Sequence, residues 1–381
     1  MSVRVSRALA VAAAVLVLLA PWRSGAGAAG VHATVPPRTA LGFENARVPW
    51  RFAFPRDHAA HFGFASEWWY YTGHLVAADG RRFGYELTFF RLGLRPGDVR
   101  PRPGQSRWRG NEVFPVHLAL TDERGQRFTY DGRFAREALG MGRASDRALD
   151  VAVGDWTLRG TAPFRMHAAS AAVALDLTQV TEKPPAAHGR DGISVKAACG
   201  TCASHYYSMT RLRTTGTLTY GGRTQHVRGL SWMDHEFGSD ELQRDQQGWD
   251  WFSLQLDDRR DVMDYRLREK DGSVTPESSG SLIDARGGVR HLTRDDVGVQ
   301  ATGSWTSPHT GGVYPSGWRV RIPSAKLDVV LTPTVRDQEL ANAAGGVSYW
   351  EGAVDVTDAT SAKHLGVGYV ELTGYARAVS L

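Results

Sequence analysis

Long apolar runs are scarce in this chain: beyond its first twenty residues, none of its 381 positions belongs to the ~20-residue apolar stretch that a membrane helix needs. Long stretches of Ala, Leu, Glu and Lys are also missing there, which argues against a helical fold. Cysteine occurs twice, as Cys199 and Cys202, and two thiolates alone cannot complete a four-cysteine zinc site. Only five of the 45 basic residues are lysine, and acids and bases are interspersed. Without a basic run, nucleic acid is excluded as the expected partner. Two catalytic signatures are absent as well. No Gly-x-Ser-x-Gly elbow marks a serine hydrolase, and His235-Glu236 has no second histidine at the zincin spacing. Asp240 and Glu241 add metal-ligand types but no recognisable pattern, so no metal and no cofactor are expected.

What is present favours strands. Forty-two glycines and 17 prolines break the chain into short segments, while 42% hydrophobic residues suffice for two cores. Arg4 and Arg7, the apolar run Ala8 to Ala20 and the small residues Ala26-Gly27-Ala28 have the form of a signal peptide over residues 1–28. Cleavage there lowers the formal charge from +5 to +2. The mature chain is expected to be periplasmic or secreted, without a stable membrane anchor. In that compartment Cys-Gly-Thr-Cys suits a small disulfide; a redox pair or a bystander pair stays open.

The first strong strand is Glu67 to Leu75, whose alternation puts Glu67, Trp69 and Tyr71 on one face and Trp68, Tyr70 and His74 on the other. Asp79-Gly80 then signals a hairpin into Phe83 to Arg91. A polar segment, Arg95 to Gly110, has the length of a lid or a disordered loop. Trp251 to Leu256, a turn with Arg259-Arg260 and Met263 to Arg268 repeat the earlier hairpin, which suggests duplication. Each half holds roughly eight strands, the number that closes a small barrel around one ligand. The expected fold is all-β, two barrels in tandem, with domains at 45–235 and 236–381.

Residues Gly229 to Leu256 carry the chemistry. Asp234, His235, Glu236 and Asp250 lie among Trp232, Trp249 and Trp251. A carboxyl desolvated beside aromatic faces keeps its proton near neutrality and can deliver it to an apolar molecule held against the indoles. Asp234 or Asp250 is the expected acid, and His235 or Glu236 the orienting or water-activating group. Trp232, Trp249, Trp251 and Tyr265 form the expected cation-facing wall, with Glu67, Trp69 and Tyr71 added as substrate-binding residues. Glu67 has two further readings, an ion pair with an arginine such as Arg91 or a pairing with His235.

Ser66-Glu67-Trp68-Trp69-Tyr70-Tyr71-Thr72-Gly73-His74-Leu75, Ser231-Trp232-Met233-Asp234-His235-Glu236-Phe237-Gly238, Gly248-Trp249-Asp250-Trp251-Phe252 and Tyr349-Trp350-Glu351-Gly352 together resemble the AttH/CrtC lipocalin-like family, which includes carotenoid 1,2-hydratases. The resemblance covers nearly all of the mature chain. It implies two lipocalin-like barrels with a pocket near their interface, an apolar isoprenoid, polyene or lipid as partner, and ABC-transporter components encoded nearby. Members carry hydratase or secreted-hydrolase labels. Where hydratases of the family have a His-Asp-His-Asn-like pattern, this chain has Met233 at the first His and Glu236 at the Asn, keeping an Asp-His core. The competing expectation is a lipocalin-type carrier that performs no reaction.

Overall fold

The computed structural model describes residues 38–46, 49–96, 106, 108–240 and 245–379. The expected signal segment lies outside these residues, as do positions 97–105 and 107 of the expected loop Arg95 to Gly110.

Among the described residues helix is limited to four three-residue 3₁₀ turns, and the rest of the regular structure is antiparallel sheet. The first sheet contains β1 (Ser66–Ala77), β2 (Arg82–Gly93), β3 (Glu112–Asp122), β4 (Arg127–Arg136), β5 (Gly142–Ala144), β6 (Asp150–Val153), β7 (Trp156–Arg159), β8 (Phe164–Ala169), β9 (Val173–Thr181), β10 (Ala186–Ala187), β11 (Ser194–Val195), β12 (Ala203–Tyr220) and β13 (Arg223–Asp240). The second contains β14 (Gln246–Leu256), β15 (Asp261–Glu269), β16 (Ser279–Ile283), β17 (Val289–Thr293), β18 (Gly298–Ala301), and, after the separate hairpin β19 (Ser304–Thr306) and β20 (Val313–Pro315), β21 (Trp318–Ile322), β22 (Leu327–Pro333), β23 (Glu339–Leu340), β24 (Tyr349–Asp358) and β25 (His364–Thr373).

The two sheets follow the same path. A four-strand meander, β1 to β4 or β14 to β17, pairs through its first strand with the last strand of its own half, β13 or β25. The hairpin signal at Asp79-Gly80 is where β1 turns into β2, with Gly80 at φ 81°. The first sheet curls into a nearly closed lipocalin-like barrel and the second into a half-barrel, and among the described residues the β19–β20 hairpin pairs only with itself. β13 runs unbroken past position 235 and stays in the first sheet, so the second sheet begins at Gln246. Cys199 and Cys202 are joined in a disulfide beside β12.

Each half has its own core. Trp69, Tyr71, Leu87, Phe89 and Met233 fill the first barrel, and Phe252, Leu254, Trp318 and Trp350 fill the second. A third apolar cluster lies between the sheets, where Tyr70, Tyr206 and Trp232 of the first meet Trp251, Tyr265 and Tyr369 of the second. Polar contacts cross the same interface: Tyr70 donates to Glu351 Oε1 at 2.7 Å, and Lys183 Nζ donates to Asp261 Oδ2 at 2.7 Å. The approach is close at Gly84 on β2, where a Cβ would come within 2.7 Å of both Ala353 Cβ and Tyr369 Oη. Gly84→Val is therefore expected to destabilise the protein by about 1–3 kcal/mol, read as a lower urea midpoint.

Candidate functional site

Strand alternation decides which side chains meet, because consecutive residues of a strand point to opposite faces. In the β1–β13 ladder, Tyr70 lies opposite Asp234 and Trp68 opposite Glu236, and these four share the outward face. Trp69 lies opposite His235 and Tyr71 opposite Met233, all on the lumen side of the barrel. In β14 the outward residues are Trp249 and Trp251, while Phe252 and Leu254 turn into the second core.

The outward faces enclose a cleft of about 890 Å³, counting its open mouth. Its wall is aromatic, with Trp68 and Tyr70 from β1, Phe90 from β2, Tyr206 from β12, Trp249 and Trp251 from β14 and Tyr265 from β15. Three carboxyls reach it: Asp234 and Glu236 from β13 and Glu371 from β25.

Asp234 is held by three donors. Trp232 Nε1 donates to Oδ1 at 2.6 Å, Ser208 Oγ donates to the same oxygen, and Tyr206 Oη donates to Oδ2 at 2.5 Å. Burial nevertheless pushes the Asp234 carboxyl up to about 7, outweighing the donors that favour its ionised form. Burial likewise pushes Glu371 up to about 7, although Trp249 Nε1 donates to its Oε2 at 3.2 Å. Glu236 is paired with Lys196 Nζ at 2.7 Å and accepts a hydrogen bond from Ser204. The Lys196 ammonium lies 4.1 Å from the centre of the Tyr265 ring. An aromatic cleft with two carboxyls raised to about 7 can transfer protons to an apolar molecule.

A family model for AttH-like proteins matches residues 45–375. The chain belongs to the AttH-like family. Among solved structures it is similar to that of a Nitrosomonas europaea protein assigned as AttH, with 32% identity, a TM-score of 0.79 and coverage of 88% of this chain and 100% of that one. It also shares the fold of kievitone hydratase from Nectria haematococca, with 15% identity, a TM-score of 0.64 and coverage of 90% and 98%. Among curated proteins none matches.

In this AttH-like chain the expected site residues divide. Asp234, Glu236, Trp249, Trp251 and Tyr265 line the cleft, and Trp232 stands behind Asp234. Trp69 and Tyr71 do not reach it: both are fully buried in the first barrel, because alternation turns them inward. His235 is also turned inward, stacked on Trp69 with ring centres 4.9 Å apart. Asp250 is displaced by the same parity. It accepts from Arg268 Nε at 2.8 Å and from Tyr375 Oη at 3.0 Å, away from the cleft. Trp68, Tyr70, Tyr206 and Lys196 are cleft residues that the sequence reading did not select. No sequence signal marks Trp68 and Tyr70, because only the pairing of β1 with β13 sets them opposite Glu236 and Asp234.

Glu67 anchors a different structure. It binds Arg91 Nε through Oε2 at 2.8 Å and meets His235 Nε2 through Oε1 at 2.8 Å and His61 Nδ1 at 2.9 Å. Arg91 also binds Glu112 Oε2 at 2.8 Å. Burial opposes ionisation of Glu67, yet the Arg91 guanidinium and both histidines hold it well below the usual carboxylate range. His61, Glu67 and His235 form the one group among the described residues with metal-ligand spacing. Arg91 already supplies the cation there, and a metal ion would face its charge.

The buried acids set the pH response. Besides Asp234 and Glu371, burial pushes Glu86 up to about 8, Glu112 to about 7 and Asp264 to about 7. Each native carboxyl holds its proton to higher pH than the unfolded one, so the stability it contributes is present below about pH 4 and is lost as pH rises through 7–8. Buried His117 and His188, held down to about 4 and about 3, act in the opposite sense, but their effect is complete once pH exceeds their ordinary 6.5. Calorimetry on the ligand-free protein should therefore show an unfolding midpoint that falls between about pH 6.5 and 8.5. A midpoint that rises across this window would mean that these acids are ionised in the native state.

Proposed function

We propose that this protein holds an apolar, alkene-bearing small molecule of isoprenoid or lipid type in the cleft between its two sheets and protonates it. The observation that carries this reading is Asp234, buried in an aromatic wall with its carboxyl at about 7. In the step, the Asp234 proton goes to one alkene carbon, and the π electron pair forms the new C–H bond. The other carbon becomes a tertiary cation facing Trp68, Trp249 and Trp251. Water then adds through an oxygen lone pair, and its surplus proton returns to the Asp234 carboxylate, which restores the acid. Loss of a proton from a neighbouring carbon in place of water addition gives isomerisation, and attack by a second alkene gives cyclisation. That the fold also serves kievitone hydratase supports a hydro-lyase type of chemistry.

A second reading rests on the three donors around Asp234, an arrangement that also suits a permanently ionised carboxylate. In that case the protein is a carrier that delivers its ligand to an ABC-transporter component. The signal-like N-terminus and the disulfide support a place outside the cytoplasm. Incubating wild type and Asp234→Asn with candidate alkenes in D₂O, followed by mass spectrometry, separates the readings. Deuterium fixed on carbon by wild type alone establishes the acid; ligand retained unchanged by both proteins establishes the carrier.

A further inference from the structure

Behind Glu371 lie two more acids that the proposed chemistry does not use. Glu351 on β24 is the direct cross-strand neighbour of Glu371 on β25, so both side chains emerge on the face turned toward the first barrel. Glu86 on β2 meets them from the other sheet and interacts electrostatically with Glu371 and Glu351. Glu86 and Glu351 are fully buried, and Glu371 is half-buried where it lines the cleft. Oε2 of Glu351 has no hydrogen-bond partner among the described residues, and Glu86 has the Thr88 hydroxyl beside it. Of these acids Glu371 lines the cleft together with Asp234, with Glu86 and Glu351 behind it, and among the described residues no lysine or arginine forms an ion pair with any of the four. Lys196, the cation nearest the cleft, is engaged by Glu236.

A buried carboxylate without a cation is costly, so these acids hold their protons in the empty cleft, and a cation brought beside them by a ligand favours their ionised form. The aromatic wall is the second half of such a site, because indole and phenol faces attract a desolvated organic cation. Lys196 already uses the wall in this way, over the Tyr265 ring at 4.1 Å and the Tyr206 ring at 5.1 Å.

We infer that the cleft selects positive charge on an apolar body, and that its ligands are hydrophobic ammonium compounds or species that become cationic there. This inference rests on the same cleft as the reading above and names the charge of its occupant. A carbocation formed from an alkene and a quaternary ammonium ion present the same feature to the wall. The other titratable groups facing the acids are Tyr70, Tyr206, Tyr349 and Tyr369, which burial holds well above their ordinary value, so they stay neutral. His117, bonded to Tyr349, and His188, beside Tyr206, are held neutral by burial. Binding a cation therefore draws protons off the carboxyls and strengthens as pH rises.

The test compares benzyltrimethylammonium with neopentylbenzene, a neutral molecule of the same shape, by calorimetric titration and tryptophan fluorescence on the intact protein. The ammonium probe is expected to bind about ten-fold or more tightly than the neutral one at about pH 8.5, with the preference shrinking toward about pH 6. Glu371→Gln is expected to weaken ammonium binding while leaving neopentylbenzene unaffected. Equal or tighter binding of neopentylbenzene by wild type overturns the inference, as does failure to bind the ammonium probe. Alkene conversion without ammonium binding would leave the proposed acid in place and remove only this inference; ammonium binding without conversion would do the reverse.

Discussion

Arg91→Met is expected to cost about 3–5 kcal/mol, the loss typical when one partner of a buried ion pair is removed. Arg91 is fully buried, and its guanidinium binds Glu67, Glu112 and the backbone carbonyls of His61 and Phe64. The substitution leaves two buried carboxylates without their cation and two carbonyls without their donor. Glu67 then loses the charge that keeps it ionised, so its proton affinity rises. The deficit should consequently be largest near pH 8 and shrink as pH falls toward 5, where both acids can be protonated. Urea unfolding at the two pH values measures this directly. Adding Glu67→Gln and Glu112→Gln to Arg91→Met should restore part of the stability, since burying an uncompensated charge costs more than burying a neutral amide. If Arg91→Met unfolds at the wild-type midpoint, the ion pairs of Arg91 with Glu67 and Glu112 do not stabilise the barrel.

Asp234→Asn is expected to leave the fold in place and lower turnover by about 10²–10⁴-fold, the range typical of losing a general acid. Asparagine is close to the same size, its Oδ1 can still accept from Ser208 and Trp232, and Tyr206 Oη can turn to accept from Nδ2. Removing a carboxyl that burial already pushes to about 7 also removes a desolvated charge above that pH. The variant's unfolding midpoint at pH 8 should therefore match or exceed that of wild type. Activity in wild type should decline as pH rises through about 7, because only the protonated carboxyl can donate. Loss of turnover with an unchanged midpoint identifies a group acting on the substrate. A variant that turns over normally transfers the role to Glu371, whose carboxyl has the same proton affinity.

A single residue step along β1 and β13 separates the cleft-facing side chains from those in the barrel. The stretch around Asp234 stands out in the sequence because acids beside tryptophans are costly to bury, and Asp234, Glu236, Trp249 and Trp251 line the cleft. Reading Asp234-His235-Glu236 as one catalytic group was an error of dimension. In an extended strand His235 faces the barrel interior while its neighbours face the cleft. The same step placed Glu67, Trp69 and Tyr71 on the cleft wall, where Trp68 and Tyr70 stand. Both faces of β1 are aromatic, so composition could not say which face belonged to the lumen. Only the register with β13 decides it.

By itself the sequence determined the all-β class, the repeated hairpin meander and the AttH-like family, because turn glycines, strand alternation and long aromatic motifs are local properties of the chain. The tertiary structure alone decided which acids share a space. Glu86, Glu351, Glu371 and Asp234 come from four strands of two sheets, and the cost that shifts their protonation arises when the sheets close over them and exclude water. Asp250, equally promising as a residue type, is removed from that group by an arginine on the next strand, Arg268, which only the pairing of β14 with β15 brings to it.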